Sequence, residues 1–370
     1  MEIKKELENL EITNEQIKTI ENSYHSHIIE CIENNSGFYE VKISHIELLK
    51  QNILIIDLGG TYFRWSIVNS NKKVIIQSNV VIKVKHKISV FEYIAEQIEA
   101  VAVLGQFSND INVFITYSYP IMYKDGKLIQ TREAKKWPFA LDFYNKDIGT
   151  EIEKVFNSRN KQKVRVRSII NDTVAVLLSN TSKFSKEHAI IGLVCGTGTN
   201  CAYYDEDGIV RCAEWGEFNF PKGILNSWDL KIKEKILKNR VYRETHVLLG
   251  GVNHLDLINT ILGDFCHARK DDIVKAVNDA IEEEGLESVI ISKVRRRVQL
   301  LTVGLLKGIL KTFSNPKKLT IILNGSVYED EKMRDILIRE LNNRFDDIEI
   351  DCKFVKNATI CANLNLLDFK

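Results

Sequence analysis

The sequence predicts an α/β protein that uses one local plan twice. Residues 53 to 68 carry an apolar run to Leu58, the turn Gly59-Gly60-Thr61, and a stretch in which Phe63, Trp65 and Ile67 alternate with Arg64, Ser66 and Val68. That pattern is strand, glycine turn, strand. Residues 189 to 204 repeat it, with Ala189 to Val194, a loop holding Gly196 and Gly198, and Cys201 to Tyr204. A third stretch, Val164 to Ile170, is a strand that delivers Asn171-Asp172-Thr173 at its C-terminal end, where α/β sheets gather their chemistry.

Composition bounds the function. A chain of 370 residues buries a large core and commonly divides into two domains. Its charged fraction is 27% and its formal net charge is +1, so no global field argues for nucleic acid or a membrane surface. No apolar run reaches the ~18–20 residues of a bilayer span, and the charged start Met-Glu-Ile-Lys-Lys-Glu is no secretory signal. The expectation is a cytoplasmic protein. Its seven cysteines are odd in number and form no C-x-x-C pair, which suits reduced thiols in the core.

In chain order, residues 5 to 34 read as an amphipathic helix with Leu10, Ile17, Ile20, Tyr24, Ile28 and Ile29 inward and a capping box at Thr13-x-x-Gln16 within it. His25, His27 and Cys31 do not form a metal set, because positions i and i+2 do not share a helix face. Gly37 to His45 is a linker or short strand. Lys73 to Val84 is strand-like, Val90 to Ala102 helical, and Ile111 to Ser118 a buried strand ending in Tyr119-Pro120. Lys124 to Lys127 is a turn. Thr150 to Val155 belongs to a helix, and another begins near Ala175. From Ser227 the chain is mostly helical, including 271–284 and 293–312, before a final strand Leu319 to Leu323 and the turn Asn324-Gly325-Ser326.

The hairpin context sorts the glycines. A Walker A loop needs a Lys-Ser/Thr and a helix behind its last glycine, and a dinucleotide fingerprint also opens a helix. Neither occurs here. A strand-to-strand glycine turn instead brings backbone amides close to a phosphate, with Asp57 placed to hold a magnesium ion directly or through water. Two such turns in duplicated domains can grip one nucleotide phosphate tail.

With those motifs in hand, the chain resembles the eukaryotic hexokinase family of the sugar-kinase, Hsp70 and actin superfamily. Asp57-Leu-Gly-Gly-Thr-Tyr-Phe-Arg64 is similar to D-L-G-G-T-N-F-R, Ser118-Tyr-Pro120 to S-F-P, and Asn171-Asp-Thr-Val174 to N-D-T-V. Gly192 to Asn200 resembles G-L-I-V-G-T-G-S-N, Glu214-Trp-Gly216 matches E-W-G, and Asn324 to Tyr328 resembles D-G-S-V-Y. The resemblance implies two duplicated actin-like ATPase (ribonuclease H-like) domains with a cleft that closes on sugar. It implies a small domain of 50–170 plus 359–370 and a large domain of 1–49 plus 171–358. The implied reaction moves the γ-phosphoryl of ATP, with Mg2+, to the 6-hydroxyl of glucose or a similar hexose, the first step of glycolysis. Asp172 matches the family's catalytic base. Ser118, Asn171, Asn200 and Glu214 fall where the family holds sugar hydroxyls. Asp57, Gly59, Gly60, Thr61, Arg64, Thr197, Gly198, Gly325 and Ser326 fall in its nucleotide site, with Asp57 on the metal side.

The departures lie on both substrate sides. Where the family's sugar-binding Thr and Lys stand, this chain has Arg132 and Glu133. Aligning on Leu248 to Gly251 puts His246 at a second sugar-binding Glu, with Glu244 two residues away. Tyr62 replaces an Asn, Asn324 an Asp, and 357–362 lacks the family's glycines near adenosine. Two functions are consistent with this pattern. One is an active hexokinase. The other is a weak or inactive relative that serves as a sugar sensor or regulatory partner, with protein as the expected partner. In a minor variant, Lys161, Lys163, Arg165 and Arg167 share one strand face toward nucleic acid.

Overall fold

The structure is a computed structural model that describes residues 7–34, 39–41, 51–84, 87–105, 107, 110–131, 137–180, 184–237, 243–267, 285–345 and 347–367. Arg132, Glu133, the stretch 271–284 and most of 37–45 lie outside them. The elements, in order, are α1 (Asn14–Glu33), β1 (Tyr39–Val41), β2 (Ile53–Leu58), β3 (Tyr62–Val68), β4 (Val74–Val81), α2 (Val90–Ala102), β5 (Ile111–Tyr117), β6 (Ile121–Lys124), β7 (Lys127–Gln130), α3 (Ile148–Arg159), β8 (Val164–Ile170) and α4 (Asp172–Leu178). Next come β9 (His188–Cys195), β10 (Thr199–Tyr204), β11 (Val210–Cys212), a 3-10 turn at Trp215–Glu217, α5 (Ser227–Leu237), α6 (Glu244–Leu249), α7 (Gly251–His267), α8 (Leu286–Leu310), β12 (Lys318–Asn324), α9 (Ser326–Glu329), α10 (Glu331–Asn342), β13 (Glu349–Phe354) and α11 (Ala358–Leu366).

The chain divides into two compact units. One comprises Met1–Phe38, Phe184–Gly208 and Ala213–Phe354; the other comprises Tyr39–Lys183, Ile209–Cys212 and Val355–Lys370. The second unit holds a sheet in the order β4-β3-β2-β5-β8. Strands β2 and β3 are antiparallel, and β2, β5 and β8 run parallel. In the first unit β10 pairs antiparallel with β9, which runs parallel to β12, which runs parallel to β13. The order hairpin, parallel strand, parallel strand therefore occurs twice, and the fold is the duplicated actin-like α/β architecture.

Each unit has its own apolar core. In the second, Leu54, Ile56, Phe63, Ile115 and Tyr117 pack with Phe91, Ile94 and Ile98 of α2. In the first, Ile191, Leu193, Ile321 and Leu323 pack with Ile20, Tyr24 and Ile28 of α1 and Leu301, Leu305 and Ile309 of α8. Helix α1 reaches α8 closely because a Cβ on Gly304 would stand 2.8 Å from Ile20, and one on Gly308 3.0 Å from Tyr24. Small residues at that spacing let two helices approach along one face.

Several sequence expectations change. Helix α1 starts at Asn14, with Thr13 as its N-cap, so the capping box opens the helix and does not lie inside it. Ile29 is 40% exposed, off the buried stripe. Helix α4 begins at Asp172, three residues before Ala175, because Asn171 caps it. The strand at 319–323 is not the last, since β13 comes after it. The cations of 161–167 are exposed, and three of them have local partners. Arg165 pairs with Asp110 at 2.6 Å, Arg167 bonds Asn112 at 2.5 Å, and Lys163 caps the carbonyls of Asn157 and Asn160. The six cysteines whose side chains are described are free, and four of them are buried. Among the described residues no helix is long and apolar enough to cross a membrane.

Candidate functional site

In the second unit three strand ends meet at one sheet edge. The parallel registers set Leu58 beside Tyr117 and Thr116 beside Ile170. The residues just past the three strands are therefore adjacent: Gly59 after β2, Ser118 after β5, and Asn171-Asp172 after β8. Ser118 N–H donates to Leu58 O at 3.1 Å. Tyr119 Oη donates to Gly59 O at 3.3 Å, and its ring stacks edge-on against Tyr117 and Trp137. The aromatic inside Ser118-Tyr-Pro120 thus holds the first glycine turn from behind.

That turn is short. Gly59 N–H donates to Tyr62 O at 3.0 Å, and a Cβ on Gly59 would meet the same carbonyl at 3.2 Å. A Cβ on Gly60 would meet nothing within 4 Å. Neither glycine has the left-handed backbone that would demand glycine, so the fold itself gives no reason for Gly60. Asp57 faces Arg64 across the hairpin, with Oδ2 2.9 Å from the guanidinium. Burial pushes the Asp57 carboxyl above its ordinary value, and Arg64 pulls it back. Arg64 also lies 5.3 Å over the Tyr62 ring, which occupies the place of the family's Asn.

At the end of β8, Asn171 Oδ1 accepts Thr173 N–H at 2.9 Å and Thr173 Oγ1 at 2.6 Å. Its oxygen is committed to the helix start, as an N-cap requires. Its Nδ2 reaches only to 3.5 Å from Tyr117 O. Asp172, the first helical residue, is partly exposed, with Oδ1 2.9 Å from Thr173 N. The capping role that a strand-end Asp would ordinarily take is filled by its neighbour. Asp172 thus follows β8 at the same end of the sheet as Ser118 after β5 and Gly59 after β2, at the positive end of a helix, which favours negative charge.

In the first unit the β9–β10 turn is closed by Gly196 N–H to Gly198 O at 2.8 Å, leaving Thr197 exposed. The turn is walled by glycines. A Cβ on Gly250 would stand 2.6 Å from Thr197 O, one on Gly251 2.8 Å from Val327, and one on Gly325 2.3 Å from Cys195 O. Gly325 has φ +99, a conformation L side chains avoid. Gly251 N–H donates to Gly196 O at 2.8 Å. Ser326 Oγ lies 3.8 Å from the Cβ position of Gly196, so Gly325-Ser326 and the turn 196–198 adjoin. Burial pushes the Cys195 thiol up to about 12, which keeps it an uncharged filler.

Two predicted sugar contacts meet directly. Asn200 Nδ2 donates to Glu214 Oε1 at 2.8 Å. Glu214 adopts φ 42 and ψ 37, left-handed backbone on a non-glycine residue, a strain that clusters at functional positions. His246, which the alignment reads as a sugar contact, packs against the second glycine turn. Its Nδ1 accepts Thr199 N–H at 3.0 Å, and its ring fills the space a Cβ would need on Gly216, 2.1 Å from Nε2, and on Gly198, 3.0 Å from Nδ1. Trp215 Nε1 donates to Thr199 Oγ1 at 3.1 Å. Glu244 is 3% exposed, accepts Phe220 N–H at 2.7 Å and pairs with Lys233 at 3.4 Å. Sequence reading missed Gly250, Gly251, Thr199 and Trp215 as supports of the turn. The Gly250-Gly251 pair after an apolar stretch was the signal that could have found them.

Residues 358–366 form helix α11, and Asn357 makes no side-chain cap. Among the described residues there is no cluster of three metal-ligating side chains.

The family model described as hexokinase matches residues 2–182. Among curated proteins, Hexokinase-2 of Rattus norvegicus is 23% identical over 241 residues, 58% of this chain and 26% of its own length. The hexokinase of Schistosoma mansoni is 28% identical over 198 residues, 48% of this chain and 43% of its own. The matched chain thus spans less than half the length of these relatives. Among solved structures, hexokinase from Schistosoma mansoni complexed with glucose superposes with TM-score 0.67 at 18% identity, covering 98% of each chain. A ROK family glucokinase from Streptomyces griseus in complex with glucose and AMPPNP superposes with TM-score 0.51 at 13% identity, over 86% of this chain and 98% of that one. The chain is thus similar in sequence to hexokinases over its first half and shares the fold of hexokinase and ROK sugar-kinase structures.

Proposed function

We propose that this hexokinase relative transfers the γ-phosphoryl of ATP to the 6-hydroxyl of a hexose. The observation that supports the reading is the alignment of β2, β5 and β8, whose registers put the backbone of Gly59, Ser118 and Asp172 at one end of the sheet. The ligands bound to the Schistosoma and Streptomyces proteins, glucose in both and AMPPNP in the second, support the substrate pair.

In this reading Asp172 accepts the proton of the attacking hydroxyl as its oxygen bonds to phosphorus. The proton passes to a carboxylate oxygen, and the phosphoryl leaves ADP. Backbone amides of Gly60 in one turn and of Thr197 and Gly198 in the other donate to phosphate oxygens, offsetting charge where it builds. Ser118, Asn200 and Glu214 hold the sugar hydroxyls, as donors and acceptors matched to a polyol. The donor chemistry fits magnesium: Asp57 is a hard carboxylate beside an open glycine turn, its Oδ2 held by Arg64, and Mg2+ commonly takes one or two carboxylates plus phosphates and water. When bound there, the ion supplies charge neutralisation to the phosphate tail.

A specific observation favours a second reading, a sugar-binding protein of low turnover. Glu244 is buried and paired, and His246 Nδ1 is taken by Thr199. Among the described candidates Glu214 is then the remaining sugar-facing carboxylate. The test is coupled ADP release with ATP, Mg2+ and a panel of hexoses, run on wild type and Asp172→Asn. Turnover that disappears with the substitution supports the kinase. No turnover with any hexose, together with hexose binding by calorimetry, supports the second reading.

A further inference from the structure

The outer edge of the five-stranded sheet is β4, and among the described residues no strand pairs on its free side. Edges of this kind are ordinarily blunted by charge, proline or brevity. Here Val74–Val81 runs eight residues with no charge or proline inside it, its one irregularity a bulge at Ile75, where Ile67 pairs with Ile76 and Val68 with Val74. Ile75 is 50% exposed, Ile76 37%, and Val80 and Val81 44% each. An edge so long and apolar asks for a partner strand.

Its sequence names the partner. Residues 74 to 82 read Val-Ile-Ile-Gln-Ser-Asn-Val-Val-Ile, a chemical palindrome about Ser78. Laid antiparallel on itself with Ser78 opposite Ser78, the stretch sets Gln77 against Asn79, Ile76 against Val80, Ile75 against Val81 and Val74 against Ile82. Every apolar residue meets an apolar one, and each amide meets an amide that can donate and accept.

The backbone phase agrees. Ile82 N–H donates inward to Thr61 O, so the alternation of a strand turns the backbone groups of residues 77, 79 and 81 outward. In the palindromic register odd positions face odd positions, and outward groups meet outward groups. A slip of one residue would break both the side-chain match and the hydrogen-bond phase.

We infer that β4 pairs antiparallel with β4 of a second copy of this chain, on a two-fold axis through Ser78, joining two five-stranded sheets edge to edge. The contact is isologous and closes as a dimer, because each copy has one such edge and the pairing consumes it. Lys73 and Lys83 face each other at both ends of the register, so the pair tightens as salt rises and screens them.

The test is sedimentation velocity on the whole chain over a concentration series at low and high salt. The expected result is conversion from 42.5 kDa to twice that mass, at lower concentration in high salt. Ser78→Lys, which sets like charges face to face on an exposed strand, should remain monomeric with an unchanged melting curve. Ser78→Cys should form a covalent dimer with oxidised glutathione, while the wild type under the same oxidant does not. A wild type that stays monomeric throughout, a dimer indifferent to Ser78→Lys, a Ser78→Cys chain that fails to cross-link, or assemblies larger than a dimer would each overturn the pairing.

Discussion

Replacing His246 tests whether the second glycine turn depends on one imidazole. Thr199 is 2% exposed, and its N–H donates to His246 Nδ1 at 3.0 Å. His246→Leu keeps bulk and removes the acceptor, leaving a buried donor unmet. Such a loss costs about 1–3 kcal/mol, and in a domain of 150–250 residues each kcal/mol lowers Tm by roughly 2–4 °C. The expected outcome is a melting midpoint lower by about 2–12 °C on those figures, and weaker nucleotide binding, since Thr197 and Gly198 precede the freed amide. His246→Asn supplies Oδ1 near the place of Nδ1 and should recover part of the loss. His246→Glu, by contrast, must fit a longer side chain where a Cβ on Gly216 would already be 2.1 Å from Nε2. Differential scanning calorimetry and calorimetric ATP titration read both effects. A His246→Leu chain as stable as wild type, with unchanged ATP affinity, would refute the dependence.

Three other outcomes are expected. Gly60→Val should leave the melting curve in place, because its Cβ meets nothing within 4 Å; calorimetry should show ATP affinity down by about tenfold or more if that space admits phosphate, about 1.4 kcal/mol. Asp172→Asn should lower kcat by roughly 100-fold or more, the range for a lost general base, while hexose affinity holds; equal loss of affinity would point to a structural role. Burial holds the His254 imidazole at about 4, below its ordinary 6.5, so between those values the unfolded chain binds a proton that the folded one refuses. Stability should therefore fall as pH drops through that window, by up to about 3 kcal/mol, and His254→Gln should flatten the fall in urea melts at pH 7 and pH 4.5.

The parts of the fold legible in sequence were those set by local pattern. Period-2 alternation marked β3, apolar runs marked β2, β5 and β9, and the glycines marked where the hairpins turn. Strand β13 carries the same period-2 alternation, Ile350, Cys352 and Phe354 against Glu349, Asp351 and Lys353, but was passed over because Glu, Asp and Lys are depleted in strands. The start of α4 was misplaced because Asn171, not Asp172, caps it, and sequence cannot choose between adjacent cap formers.

The supports of the candidate site were not legible for a different reason. Glu214 takes left-handed backbone while the glycine stands at 216, so the residue that seems to need conformational freedom is not the one that bends. Gly216 supplies room instead, since the His246 ring occupies its missing side chain. That ring in turn accepts Thr199 N–H, and Trp215 reaches the Thr199 hydroxyl. Three motifs far apart in sequence, Gly-Thr-Gly-Thr, Glu-Trp-Gly and Thr-His, are thus packed on one imidazole. Strain of about 1–3 kcal/mol at Glu214 persists only when its surroundings over-determine it. Here the neighbouring Trp215 and Gly216 are pinned by Thr199 and His246, and the carboxylate is fixed by Asn200. A change at His246 should therefore move Glu214 as well as the glycine turn, coupling hexose affinity to nucleotide affinity through a residue that sequence alignment reads as a sugar contact.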